Sequence, residues 1–291
     1  MTSCSCVCPC GAPGVLLRSV DIGLQQPVMM HDCSITRNYT LILDFPLEFH
    51  PKRIVHGSVW YFNTGRPSRI GVIPRHSSSA SDILWFEFQP CYVFHVINSW
   101  EEGDDIVLHA CRLPRITLDD LGVNDESRFV DDKPAPYEFR MNLKSRKTSE
   151  RPLSPVHCEF PVVNPKTVGR KSRCTFAATF DNAPRTPVFN GVSKLWLNDA
   201  GTYDEVGRIE YGANKFGGEC TFVPRRDASD EDDGYLMTYV CDESAMTSEF
   251  WIMNAKTMDP TPIAKVALPQ RVPYGFHGLY VSAEQIAAQH V

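Results

Sequence analysis

The chain has 291 residues, 43% of them hydrophobic and 11% aromatic, and a formal charge of −6 at neutral pH. That is enough apolar content to bury a sizeable core in one domain or two. The acidic balance, with no dense Lys/Arg run interleaved with aromatics, argues against a nucleic-acid binder, and the longest apolar stretches are strand-sized, too short for a bilayer-spanning helix.

The first 19 residues carry Cys4, Cys6, Cys8 and Cys10. Their alternate spacing throws four thiols to one side of an extended segment, unlike the CxxC pairs of zinc ribbons and fingers, so this stretch is expected to be a disordered, Cys-rich leader. Beyond it the periodicity is β. Runs rich in Val, Ile, Phe, Tyr and Thr fall at 38–45, 69–74, 83–88, 91–97, 105–112 and 137–143, then at 193–197, 234–240, 249–254 and 263–268. Turn formers such as Asn63-Thr64-Gly65, Gly103-Asp104-Asp105 and Asp233-Gly234 separate them. The polar, basic stretch 143–155 reads as an exposed loop, and only 282–289 reads as helix. Cys33, Cys91, Cys111, Cys158, Cys174, Cys220 and Cys241 lie in or beside apolar runs, as reduced, buried thiols do.

Many short strands mean a sandwich, a barrel or a propeller, and with no strict internal repeat the periodicity alone does not choose among them. The motifs choose. His31 sits in PVMMHDCSITRNY, His95 in CYVFHVINSWEEGDDIVL and His277 in LPQRVPYGFHGLYV. NYTLILDFPL (38–47), RIGVIPR (69–75), EFPVVNPKTVGRKSRC (159–174), GGECTFVPRR (217–226) and EDDGYLMTYVCDE (231–243) complete the set. In this order, from about residue 20 to the C-terminus, they resemble the carotenoid cleavage oxygenases, and within them the plant-type carotenoid cleavage dioxygenases.

The resemblance implies an all-β fold, a seven-bladed β-propeller of the carotenoid oxygenase type with iron on its axis. About fifteen strand candidates at four per blade fill only about four blades, so an incomplete propeller over 20–291, lacking N-terminal blades, is expected. The family uses four histidine ligands. His31, His95 and His277 match the second, third and fourth, and the first falls in sequence this chain does not contain. One Fe(II) per chain is the implied cofactor. Neutral imidazoles bind Fe(II) and leave it its full charge, and open coordination positions admit dioxygen. By the same resemblance Glu159 accepts the other ring proton of His95, and Glu219 that of His277, which fixes each ring. Phe94, Tyr274 and Phe276 line the substrate tunnel, although core packing explains these aromatics equally well. No side chain is expected to act as general acid or base.

Each feature also has a plainer reading. A lone histidine in an apolar strand is more often a hydrogen-bonded core residue than a ligand, and a glutamate at a strand edge is often a surface ion partner. Asp32, adjacent to His31, is expected to point to the opposite face and so not to share its metal. His50, His56, His76, His109, His157 and His290 lie outside the motifs and are expected at the surface. The acidic run from Asp227 to Gly234 puts Ser229 and Val240 where a calcium loop requires Asp and Glu, so it reads as a solvated hairpin loop. Asn38-Tyr39-Thr40 fits a glycosylation triplet but lies in an expected strand. Neither a phosphate-binding glycine loop nor a nucleophile elbow is present.

The implied activity is that of an oxidoreductase: Fe(II)-dependent, non-haem dioxygenase cleavage of a conjugated double bond in a carotenoid or apocarotenoid, giving two carbonyl products. The partners are that substrate and O2, with no nucleic acid, no transmembrane segment, and peripheral membrane association as a further expectation. The alternative is a truncated, catalytically inactive partial propeller without the first iron ligand. A plastid is the expected compartment, and the cytoplasm the alternative. Substrate, cleavage position and oligomeric state are not legible.

Overall fold

A computed structural model describes residues 2–9, 16–116, 118, 133–180 and 188–288. The chain forms two compact units, one of residues 1–155, 168–171 and 184–186, the other of 156–167, 172–183 and 187–291.

In the first unit β1 (Thr2–Pro9) pairs antiparallel with β2 (Leu16–Leu24). β3 (Cys33–Ile35) and β4 (Tyr39–Asp44) follow, and β5 (Leu47–Phe49) and β6 (Trp60–Phe62) pair with each other. β7 (Ser68–Pro74) and β8 (Leu84–Phe88) then complete a four-stranded sheet in the order β3-β4-β7-β8. β9 (Tyr92–Glu102), β10 (Asp105–Leu113), β11 (Ala135–Asn142) and β12 (Thr148–Pro152) form a second antiparallel meander.

β4 is buried on both faces because each has its own apolar layer. Leu41 and Leu43 pack with Ile70, Phe86, Leu108, Phe139 and Met141, while Ile42 packs with Val20, Ile22 and Leu24 on β2. At about 25 cal/mol per Å² of apolar surface removed from water, these two layers are the main stabilising contribution to the unit.

In the second unit β13 (Cys158–Val162), β14 (Cys174–Thr179), β15 (Gly191–Leu197) and β16 (Tyr203–Glu210) are sequential neighbours in one sheet. β17 (Lys215–Phe216) and β18 (Thr221–Pro224) both pair with β19 (Gly234–Asp242), which continues to β20 (Thr247–Asn254) and β21 (Ala264–Ala267). Phe176 stacks on Phe222 at 5.4 Å within a core that includes Leu236, Trp251 and Met253. α1 (Ala283–Ala287) falls within the stretch expected to be helical and opens with a capping box between Ser282 and Gln285. Among the described residues no helix is long and apolar enough to cross a membrane.

Every one of the ten anticipated β runs contains a strand, and among the described residues four sheets of four or five strands, two in each unit, are the propeller-type element the sequence leads one to expect. Four expectations need correction. Thr2–Pro9 of the leader is a strand laddered to β2, because alternation suits extended backbone; residues 10–15 lie outside the described residues. The stretch 143–155 is not simply a loop. Its centre is β12, paired with β11, and Leu153 and Ser154 are buried.

His109 is buried at 1% exposure, since it sits on β10 within a run that is apolar on both faces. It belongs to a polar row across the meander, Asn98, His109, Glu138 and Arg151 on β9 to β12, with His109 Nε2 3.3 Å from Glu138 Oε2 and the Arg151 guanidinium donating to Glu138. His290 lies outside the described residues, and His76 and His157 are exposed. Six of the seven cysteines beyond the leader are buried free thiols, but Cys33 is exposed.

Candidate metal centre

In the first unit His95 lies in the middle of β9, the edge strand of its sheet, at an irregular point of the ladder. Val96 pairs with Ala110 and Val93 with Arg112, so Phe94 and His95 together face Cys111 alone. Such a bulge breaks the strict alternation of faces, and both side chains are half-buried instead of one in and one out. The Nε2 of His95 is shielded from solvent.

His31 precedes β3 and is exposed. Its ring meets that of His95 edge-on at 5.0 Å between centroids, and that of Phe94 at 5.2 Å. A ring nitrogen of each histidine lies within 4.8 Å of one of the other. Two nitrogens each ~2 Å from a shared ion are at most ~4 Å apart, so modest closure brings this pair into ligating range.

Asp32 does not project into this pair. His31 and Asp32 are not in a strand, so facial alternation is not the reason. Its carboxylate is committed to backbone amides, accepting from Cys33 at 2.7 Å and from Val96 at 2.9 Å. The sequence reading overlooked this bond. It is the first of a series in which Asp32, Ser34 and Thr36, and Asn38 in the turn between β3 and β4, reach β9. Ser34 Oγ and Ser99 Oγ are 2.7 Å apart, and Ser99 also donates to the Ile35 carbonyl. Glu101 accepts from the Thr36 hydroxyl and from both the backbone and side-chain amides of Asn38. The Asn38 amide of the glycosylation triplet is therefore occupied.

In the second unit His277 lies on a segment without regular secondary structure and is exposed. Its Nδ1 is 3.4 Å from Glu219 Oε1, and the other oxygen of that carboxylate accepts the Gly278 amide at 2.9 Å. The backbones at Gly218 and Gly275 approach so closely that a Cβ on Gly218 would lie 2.0 Å from the Gly275 carbonyl oxygen. Glycine in the GGEC and YGFHG motifs thus lets the segment carrying His277 settle against the one carrying Glu219. A groove of about 140 Å³ opens there, its lining including Met237, Tyr239, Phe250, Phe276 and His277.

Glu159 is buried and accepts the amide of its neighbour Phe160 at 2.7 Å. Phe160 has φ 49°, a left-handed conformation that costs a side-chain-bearing residue of order 1–3 kcal/mol, at a bulge where it and Pro161 together face Ala177. The bulge turns its ring onto His277 at 5.4 Å and onto Phe276 at 5.9 Å. Phe276 is 72% exposed, and the half-exposed Tyr274 donates its hydroxyl to Glu243.

The acidic loop is saturated with internal cations, as a solvated hairpin loop would be. Asp230 pairs with Lys256, Asp232 with the buried Lys194, and Asp233 with Arg225, while Glu231 accepts the amides of Arg173 and Cys174.

Chemically, the first unit presents two adjacent imidazoles whose neighbouring carboxylate, Asp32, is held by backbone amides, and the second presents one imidazole with the Glu219 carboxylate at its Nδ1. Neutral imidazoles suit a divalent first-row ion that keeps its charge.

The family described as retinal pigment epithelial membrane protein matches residues 3–282. The chain is 37% identical to carotenoid 9,10(9',10')-cleavage dioxygenase 1 of Phaseolus vulgaris over 95% of its own length and 53% of that protein's. It is 34% identical to the chromoplastic zeaxanthin 7,8(7',8')-cleavage dioxygenase of Crocus sativus, covering 91% and 71%. Among solved structures, cobalt-substituted ACO of Synechocystis superposes with a TM-score of 0.81 at 25% identity, covering 93% of this chain and 56% of that one. The chain thus spans about half the length of several of the relatives it matches. The family match begins within the leader, at residue 3, not near residue 20.

Proposed function

Because the chain belongs to the carotenoid cleavage oxygenase family, matched over residues 3–282, we propose that it contributes the metal-binding part of an Fe(II)-dependent dioxygenase that cleaves a carotenoid or apocarotenoid. The observation that carries this reading is the adjacency of the His31 and His95 rings, 5.0 Å apart and borne by segments that share no backbone ladder. The relatives' printed activities and the cobalt in a structural neighbour support it.

His31, His95 and His277 would hold one Fe(II). When bound, the metal supplies the activation of O2 needed to split a conjugated double bond into two carbonyl groups. The protein's residues then have distinct tasks. Imidazoles keep the site cationic, because neutral ligands cancel none of the metal's charge. Glu219 accepts the Nδ1 proton of His277, leaving Nε2 as the donor atom. Glu159 stands as the acceptor proposed for His95, and its carboxylate already holds the Phe160 amide. Phe94 and Phe276, whose rings pack on His31 and Phe160, and Tyr274 nearby on the same segment as Phe276, offer apolar surface to a polyene.

Substrates of this kind partition into lipid, so peripheral membrane association fits the proposal. The chromoplastic location printed for the Crocus sativus relative favours a plastid. The test is anaerobic loading with Fe(II), followed by metal analysis and admission of O2 to a carotenoid. Stoichiometric iron and O2-dependent bleaching are expected; the absence of both favours an inactive partial propeller.

A further inference from the structure

The segments bearing His31 and His95 belong to different sheets, and side chains, not a backbone ladder, join them. The series runs from Glu101, which binds Thr36 and Asn38, through Ser99, which binds Ser34 and Ile35, to Asp32. Asp32 is the terminal rung. It follows His31 directly, and the amide it binds belongs to Val96, which follows His95 directly. One carboxylate therefore ties the residue that follows His31 to the peptide unit that follows His95. With its other oxygen on the Cys33 amide, it has no freedom to swing away.

We propose that Asp32 is a positioning residue: it sets the separation of His31 and His95 so that one metal ion can take both. The inference rests on the metal reading above and adds to it a residue that touches neither the metal nor the substrate. The other rungs hold the segment further along β9, whereas Asp32 acts at the residues next to the histidines. A metal pulls its ligands to fixed distances of ~2 Å, so slack at this rung appears as weaker metal binding more than as lower stability.

Asp32→Asn keeps the shape but presents an amide N–H to one of the two backbone N–H groups. Glu101→Gln weakens the far rung in the same manner, away from the rings. Co(II) titration of the purified chain, followed by absorption spectroscopy and calorimetry, is compared with the thermal midpoint and with hydrogen exchange at the Val96 amide of the metal-free protein.

Asp32→Asn is expected to weaken Co(II) binding by ~10–100-fold and to speed Val96 exchange, with a midpoint no lower than that of Glu101→Gln. Glu101→Gln is expected to keep its Co(II) affinity within ~3-fold, below the range seen when a partner of a metal ligand is lost. Should Asp32→Asn fail to fold, Asp32→Glu, which moves the carboxylate out by one methylene, is read by the same criteria. Unchanged affinity in the Asp32 variant overturns the inference, as does an equal loss in both variants. A wild-type chain that binds no Co(II) overturns the metal reading and this inference with it.

Discussion

The two units hold their histidines by opposite means. In the first, His31 and His95 are placed by backbone: a bulge turns His95 and a side-chain strap draws the His31 segment against β9. In the second, His277 rides on an irregular segment and is held by a carboxylate at its own ring, Glu219, which also grips the next amide. The first arrangement fixes where the ring's chain runs, and the second fixes the ring. A substitution should accordingly report through backbone geometry in one unit and through hydrogen bonding at the ring in the other.

The largest effects should come from removing the rings themselves. His95→Ala and His277→Ala are each expected to abolish iron binding beyond the ~10–100-fold range of an outer partner, as read by metal analysis after dialysis. If only one of them does so, the two units do not contribute to one metal centre. Next comes Glu219→Gln, expected to lower metal affinity ~10–100-fold with the thermal midpoint nearly unmoved. An unaltered affinity would show that the 3.4 Å contact leaves the His277 tautomer to other groups.

Smaller, and confined to the first unit, is a response to acid. Burial holds His109 below its ordinary value of 6.5. Glu138 is pushed up by burial, but hydrogen bonds from His109 and Arg151 outweigh this and hold it at about 2, against 4.5. Both groups take up protons more readily unfolded than folded. Stability should therefore fall as pH drops below about 6.5 through His109, and again below about 4.5 through Glu138. A thermal midpoint several degrees lower at pH 5 than at pH 7 is expected, and His109→Gln should flatten that interval. The smallest effect is in the acidic loop of the second unit, where Asp230→Asn should leave both the melting temperature and the response to added Ca²⁺ unchanged, since the Asp230–Lys256 pair is exposed.

Much of this architecture is legible in the sequence because some central strands are buried on both faces. β4 and β10 announce themselves by their runs of Leu, Ile and Val. Strands whose partners decide their state were missed: β12, with sequence TSERP, has no hydropathic signature and exists because β11 lies beside it. The bulges at His95 and Phe160 were equally hidden, since a bulge is a mismatch between two strands and neither strand encodes it alone. Histidine identity was legible from motifs. The burial of His109 should have been as well, because its neighbours in DIVLHACRL leave it no exposed face. The alternating Asp32, Ser34, Thr36 and Asn38 were visible as a pattern, but the pattern acquires meaning only once Glu101 is seen opposite.

The meeting of Gly218 with Gly275 has a consequence for how this region tolerates change. Main chain rests on main chain there, so the contact carries no chemistry that a compensating side-chain exchange could restore. Any bulkier residue at 218 would act as a wedge and tip the C-terminal segment outward. Position 218 is therefore closed to any side chain, a hinge pin whose diameter is fixed at a single hydrogen atom.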